Sequence, residues 1–319
     1  MTAPRILIVR FSSLGDVILT TPLLSAIAER HPKATVTFVT RDTYAPLLDT
    51  NPCVTEVIGW PRREPIPALA GLLRERKFDV GLDLQRSLRS WRLRRAVRAR
   101  WFAYPKGRLA RWSRVWLGYN PRNARSVVDR YFAAARALGV SRDGRAPAVY
   151  PTDQDRKAAA ELAPEGCVVL APGASRPSKR WPAAYWRALA DRLLDRGHTV
   201  VAVGSAGERI LLSGGGIIEA YGLPLRTAAA VLERARVVVC NDSGALHLAA
   251  AVKRPVVALF GPTAAAEFLP PNAAVLVLER FPPCRPCSSF GSSHCPLGHH
   301  RCMIEISPEE VDAALEVFG

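Results

Sequence analysis

Short, almost continuously apolar runs alternate along this chain with longer stretches whose apolar positions recur every three to four residues. The first kind fits strands buried on both faces of a parallel sheet, and the second fits the helices that cover it. In the first half the strand-like runs are 6–9, 35–39, 54–58, 79–84 and 101–104, with helical patterns at 23–30, 68–76 and 87–97. A longer amphipathic stretch, 127–138, stops at Gly139, where glycine readily supplies a left-handed helix cap. After a linker candidate at 141–152, strand-like runs return at 167–171, 199–203, 237–240 and 256–260, with helices near 183–196, 227–235, 246–252 and 308–317. The pattern predicts an α/β protein of two similar halves, 1–145 and 146–319, each built on a parallel sheet, with a cleft between them.

Length agrees with two domains, since 319 residues is long for one. No window of eighteen apolar residues occurs and the N-terminus runs straight into a strand pattern, so a soluble, cytoplasmic protein is expected. Charge adds a partner class. Lys and Arg number 44 against 28 Asp and Glu, a formal charge of +16, and the excess is local: fourteen basic residues lie between Arg86 and Arg130, with Asp129 the single acid. That stretch faces something anionic, or else is the solvated helix face of an Arg-rich protein.

Three strand-to-helix loops carry the candidate chemistry. The first, Phe11 to Asp16, puts the Asp16 carboxylate in the first turn of a helix, as a cap or as the base that takes a proton from an attacking hydroxyl. The second, Pro172 to Trp181, combines Gly173 with Ser175, Ser178, Lys179 and Arg180 just before a helix that Pro182 can start. It is either a phosphate-binding loop or a polar surface turn. The third, Asn241 to His247, would direct the backbone N–H groups of Ser243 and Gly244 toward an anion, with His247 one turn further on as a further anion contact or as a structural residue.

No G-x-G-x-x-G follows any strand, which weakens a dehydrogenase interpretation. Asp153 and Asp155 resemble a metal-holding acid pair, yet they open a predicted helix, where capping explains them. With no convincing carboxylate pair for magnesium, a departing diphosphate would be neutralised by Lys179, His247 and helix dipoles. Of seven cysteines, Cys53, Cys167 and Cys240 sit singly in apolar surroundings as small core residues. Cys284, Cys287, Cys295 and Cys302 crowd one loop with two, seven and six residues between them, a spacing for a structural zinc or iron site, with a metal-free reduced loop as the alternative.

The most specific segments are Arg10-Phe-Ser-Ser-Leu-Gly-Asp16 with Thr20-Thr-Pro22, Lys179-Arg-Trp-Pro182, and Asn241-Asp-Ser-Gly-Ala-Leu-His247 with Phe260-Gly-Pro-Thr263. In these the chain resembles the bacterial heptosyltransferases of glycosyltransferase family nine, over nearly its whole length. The resemblance implies the GT-B fold: two facing Rossmann-like domains, 1–145 binding acceptor and 146–319 binding the nucleotide-sugar donor. It also implies inverting transfer of L-glycero-D-manno-heptose from ADP-heptose to the Kdo/heptose inner core of lipopolysaccharide, with no cofactor needed for catalysis. By the same resemblance Asp16 is the base and Lys179 the catalytic contact to the donor phosphates. Ser175, Asp242, Ser243, Gly244, Ala245 and His247 bind donor, Glu208 holds the donor ribose, and Arg62, Arg63, Arg86 and Arg89 are assigned to the anionic acceptor. The adenine pocket near 210–225 is shorter than usual. Some protein-modifying relatives carry iron on four cysteines, and the 284–302 loop looks similar. The expected partners are ADP-heptose and a Kdo-lipid A type glycolipid at the inner face of the inner membrane, which places the enzyme in the cytoplasm, peripheral to that membrane, with no nucleic acid. The alternatives are a protein acceptor, a nucleotide-sugar epimerase of the same fold, or a nucleic-acid-binding protein using the Arg-rich segment.

Overall fold

The run at 6–9 becomes the middle of a sheet. In the computed structural model, which describes residues 3–105 and 126–318, strand β1 (Arg5–Val9) lies between β2 (Thr35–Arg41) and β4 (Val80–Asp83). Strands β3 (Glu56–Trp60) and β5 (Arg100–Ala103) form the edges, and every pairing is parallel. Ile6 to Val9 are wholly buried, as a central strand covered on both faces requires. Helices α1 (Leu14–Ile18) and α2 (Thr21–Arg30) follow β1; α3 (Ile66–Arg74) and α4 (Leu88–Ala96) precede β4 and β5. Ile66, Leu69 and Leu73 of α3 and Leu93 of α4 bury against Leu7, Val9, Val39 and Ile58. Each such side chain contributes about 1.5–3 kcal/mol by leaving water. Gly81 in β4 is needed for close approach, because a Cβ there would meet the Trp101 indole of β5 at 2.5 Å.

The stretch expected to be one helix, 127–138, is split. α5 (Val127–Ala134) closes with Ala135 N–H shared between the Tyr131 and Phe132 carbonyls. A 3-10 turn, Arg136–Leu138, follows, and Gly139 caps it at φ +69°. Of the basic segment, Lys106, Arg108, Arg111, Arg114, Arg122 and Arg125 lie outside the described residues.

Residues 3–105 with 126–150 form one compact unit and 151–318 the other. The second holds a six-stranded parallel sheet, β11-β10-β9-β6-β7-β8. Its strands are β6 (Cys167–Ala171), β7 (Val200–Gly204), β8 (Ile218–Tyr221), β9 (Ala235–Asn241), β10 (Val256–Phe260) and β11 (Val275–Glu279). The helices are α6 (Asp153–Leu162), α7 (Ala183–Asp195), α8 (Leu225–Glu233), α9 (Gly244–Ala251), α10 (Ala265–Phe268), α11 (Arg301–Ile304) and α12 (Pro308–Leu315). The hydrophobic pattern singles out neither β8 nor β11. Both are half-buried edge strands carrying Glu219 and Glu279, so neither has the unbroken apolar run of a central strand. Thr152 caps α6 and Asp155 bonds back to the Thr152 N–H, so this acid pair is a helix start. Cys167 and Cys240 are buried, but Cys53 is only half-buried. Among the described residues no helix is long and apolar enough to cross a membrane.

Candidate active site

In unit one, Asp16 is the third residue of α1, and its carboxylate is tied down mainly through one oxygen. Oδ2 accepts from the Ser13 N–H at 3.0 Å and the Ser13 hydroxyl at 2.7 Å, and pairs with Arg10 Nη2 at 2.6 Å. Oδ1 meets the Tyr131 hydroxyl at 3.5 Å, the outer limit of a hydrogen bond. The Asp16 side chain is 23% exposed while Arg10 behind it is 8% exposed. Arg10 donates to the Leu84 carbonyl at 2.5 Å and lies 5.6 Å over the Tyr131 ring, so it is fixed from three sides. Burial alone would push the Asp16 carboxyl up, but the Arg10 charge and the Ser13 hydrogen bonds outweigh it and hold the group below the ordinary carboxylate range. Burial also lifts the Tyr131 hydroxyl well above its ordinary value, which keeps it a protonated donor.

The candidate acceptor arginines stand on the same edge of the sheet. Arg62 and Arg63 are exposed just after β3, and Arg86 and Arg89 are exposed just after β4. The Arg86 N–H donates to Asp83 Oδ1 at 2.7 Å and its guanidinium to the Tyr104 carbonyl at 3.1 Å, so this loop is shaped rather than loose.

In unit two, the loops after β10, β9, β6 and β7 are neighbours at the carboxyl ends of their strands, where ligands bind in such sheets. Asn241, the last residue of β9, ties them together: its side-chain NH2 donates to the Pro172 carbonyl at 2.8 Å and its oxygen accepts from the Trp181 N–H at 3.1 Å. Asp242 then meets Lys179 Nζ at 2.6 Å and accepts from the Thr263 hydroxyl at 2.6 Å. Ser243 caps α9, its hydroxyl accepting from the Ala245 N–H at 3.3 Å, and His247 is buried one turn below. Ser175 is exposed on the loop after β6. Glu208, after β7, caps its own turn through the Ser205 N–H at 2.8 Å and lies across the end of β6. Gly173 is required there, since a Cβ would fall 2.1 Å from the Glu208 carboxylate. The structure thus gathers Lys179, Glu208, Asp242 and the start of α9 on one sheet edge.

Sequence reasoning missed the groups that hold these residues. Arg10 and Thr263 stand inside the diagnostic segments, but their roles depend on contacts with Leu84, Tyr131 and Asp242, far away in the chain. The four-cysteine loop is the remaining candidate. Among the described residues no group of three or more His, Cys, Asp or Glu is placed to hold a metal, so the expected zinc or iron centre is not assembled. Burial, with the neighbouring thiols, pushes the Cys302 thiol up to about 11 and Cys287 upward. The loop also braces the site. Ser292 accepts from the Ser178 N–H at 3.2 Å and donates its own N–H to the Ser178 hydroxyl at 2.8 Å. His300 Nε2 contacts the Ser178 carbonyl at 2.8 Å, and Gly291 packs on Arg176 and Lys179. Buried Arg285 binds the carbonyls of Gly261 at 2.5 Å and Thr263 at 2.9 Å.

Residues 66–295 match the model of glycosyltransferase family 9 (heptosyltransferase). The chain is 31% identical to lipopolysaccharide heptosyltransferase 1 of Pseudomonas aeruginosa, with 98% of each sequence aligned. Its fold matches the crystal structure of the glycosyl transferase family 9 protein of Veillonella parvula with a TM-score of 0.81 at 23% identity, covering 100% of this chain and 98% of that one. It also matches E. coli heptosyltransferase WaaC with ADP-2-deoxy-2-fluoro heptose, with a TM-score of 0.72 at 22% identity, covering 99% of this chain and 100% of that one. Asp16 lies before the family-model match but within the Pseudomonas alignment, which leaves too few residues uncovered to omit it.

Proposed function

The chain belongs to glycosyltransferase family 9, a family of heptosyltransferases, and from that membership we propose that it transfers L-glycero-D-manno-heptose from ADP-heptose to the Kdo/heptose inner core of lipopolysaccharide. The observation that carries this beyond family membership is the Lys179–Asp242–Thr263 chain beside the α9 N-terminus, a fixed cation and the start of a helix on one sheet edge. That combination suits a nucleoside diphosphate. Structural likeness to a heptosyltransferase holding a fluorinated ADP-heptose supports the donor, and the Pseudomonas relative supports the lipopolysaccharide acceptor.

In the proposed step an acceptor hydroxyl oxygen attacks the anomeric carbon of heptose, the bond from that carbon to the phosphate oxygen breaks, and ADP departs with inversion. Asp16 Oδ1, the less engaged oxygen, takes the hydroxyl proton. Its low basicity delays proton transfer until the new bond is forming. Lys179 and the N–H groups at the start of α9 meet the charge gathering on the diphosphate, so compensation comes from groups already in place. Ser175, Ser243, Gly244, Ala245 and His247 line the donor loops, Glu208 accepts from the ribose, and the exposed Arg62, Arg63, Arg86 and Arg89 receive the acceptor's phosphate and carboxylate groups. The division of labour assigns acceptor to 1–145 and donor to 146–319, in the cytoplasm. The four-cysteine loop enters through its contacts to Ser178 and Lys179.

Incubation of the purified enzyme with ADP-heptose and Kdo-bearing lipid A acceptors, followed by mass analysis, tests this. One added heptose per acceptor, with ADP released and activity kept in chelator, is expected. No mass gain on any glycolipid, or a changed nucleotide sugar without acceptor, would reject it.

A further inference from the structure

We propose that the outward face of α4 is a docking surface for an anionic lipid bilayer. The inference rests on the glycolipid-acceptor reading above and deepens it by naming the face that meets the membrane. α4 buries Ser90 and Leu93, and Val97 just beyond its end, against the first sheet's helical layer. The opposite stripe, at spacings of three, four and seven residues, is Leu88, Trp91, Arg92 and Arg95, all exposed. Leu88 is 63% and Trp91 47% exposed, two large apolar side chains one turn apart with none of the described residues folded over them. Scattered exposed apolar residues are ordinary in soluble proteins, but here they are set into a cationic surround.

From Leu84 to Pro105 the chain has seven arginines and no acid. One of these, Arg94, pairs with Asp83, at 3.7 Å. Arg89, Arg92 and Arg98 have no acidic partner among the described residues. Arg95 rests its guanidinium 5.0 Å over the Trp91 ring, which places a cation and an amphipathic ring at the same height above the helix. Within α4, Arg89 stands in the first turn with no acid there, where the helix dipole disfavours a cation. An anionic plane along this face would offset that cost and the mutual repulsion of the arginines. Neighbouring α3, joined through Arg74 Nε to the Ala96 carbonyl at 3.0 Å, leaves Leu72 exposed as well.

Leu and Trp on one face among arginines is what an interfacial helix presents. The apolar pair enters the headgroup boundary, and the guanidinium groups meet lipid phosphates. A nucleic acid would engage the arginines and could stack on Trp91, but it offers nothing to Leu88. The bilayer is therefore the occupant that uses every exposed side chain of the stripe.

Sedimentation of the whole protein with vesicles tests this. Binding to phosphatidylglycerol–phosphatidylethanolamine vesicles, little to phosphatidylcholine, and weakening with salt are expected. Arg92→Gln with Arg95→Gln should weaken binding about twenty-five-fold, since each cation near such a surface contributes about fivefold. Leu88→Gln with Trp91→Gln should weaken it about tenfold or more. All four side chains face solvent, so circular-dichroism melting should not move. Vesicle binding unchanged in both double variants overturns the proposal. So does binding that only the arginine pair weakens and that duplex DNA competes away. Transfer to a water-soluble acceptor fragment should be the same in all three proteins, so failure of the transferase assignment and failure of the docking surface give different results.

Discussion

Beyond β1, Arg10 and Asp16 meet at 2.6 Å; beyond β9, Asp242 and Lys179 meet at the same distance. The pairs are built in opposite senses. In the first the cation lies deeper, 8% exposed, and the carboxylate reaches solvent at 23%; in the second the carboxylate lies deeper, 5% exposed, and the ammonium is outermost at 11%. Each pair turns outward the charge that the proposed chemistry uses, a proton acceptor in one unit and a phosphate-binding cation in the other. The deeper partner is in turn held by a third group, Tyr131 and the Leu84 carbonyl behind Arg10, Thr263 behind Asp242. A buried pair contributes little net stability, because desolvation offsets attraction. Its use here is orientation.

If that contrast is right, the outer members differ from the inner ones in what their loss does. Asp16→Asn removes the proton acceptor and leaves the Arg10 scaffold, so kcat should fall by about a thousandfold, within the range for general-base removal. ADP binding, measured by calorimetry, and the melting temperature should hardly change. Turnover within tenfold of native would break the assignment. Lys179→Ala comes next, with kcat/KM down by about a hundredfold, as for loss of one preorganised charge contact. Here stability suffers too, since Asp242 is left buried without a counter-charge, a loss of about 3–5 kcal/mol. Lys179→Ala with Asp242→Asn should restore the melting temperature but not the activity. Recovery of both would make the pair structural alone.

The outer members were legible in the sequence because each sits in a short segment after a strand-like run, where local rules apply: Asp16 at a helix start, Lys179 before Pro182, Ser243 before a helix. The alternation of patterns also located the central strands, β1, β6, β9 and β10, whose apolar runs are unbroken. The inner members were not legible. Arg10 earns its meaning from Leu84, 74 residues on, and from Tyr131, 115 residues from Asp16. The bracing role of the cysteine loop was not legible either, because spacing alone cannot say what a loop packs on; its contacts are made by Ser292, Gly291, His300 and Arg285, none of which stands out by type.

Arg10→Gln sharpens the contrast by removing an inner member. The folded Asp16 carboxyl lies below its ordinary value of about 3.9. The stability from this pairing is therefore present at neutral pH and is lost as pH falls through the depressed folded value. Removing the Arg10 charge lets the carboxyl rise, so the acid limb of kcat/KM should move to higher pH, while Arg10→Lys keeps most of the native profile. Activity at neutral pH should fall only about tenfold, since Asp16 stays ionised but is less firmly aimed. An acid limb that stays in place would show that Asp16 is tuned by Ser13 alone.

The smallest effect is expected at Gly291, which touches neither pair's charge. Its φ is +82°, and a Cβ there would lie 2.8 Å from Arg176 Cβ and 3.0 Å from Lys179 Cγ. Gly291→Ala therefore meets both a left-handed backbone, costing roughly 1–2 kcal/mol, and a neighbour that must give way. Arg176 Cβ is close to the main chain and cannot swing aside as a side-chain tip could, so the Pro177–Lys179 turn should shift and carry the ammonium off its aim. The consequence falls on one unit only: KM for the nucleotide sugar should rise severalfold, with the acceptor KM and the acid limb set by Asp16 unchanged. A melting temperature lowered with no change in donor KM would mean that the loop merely covers the Lys179 turn, and the difference between the two units would then rest on the ion pairs alone.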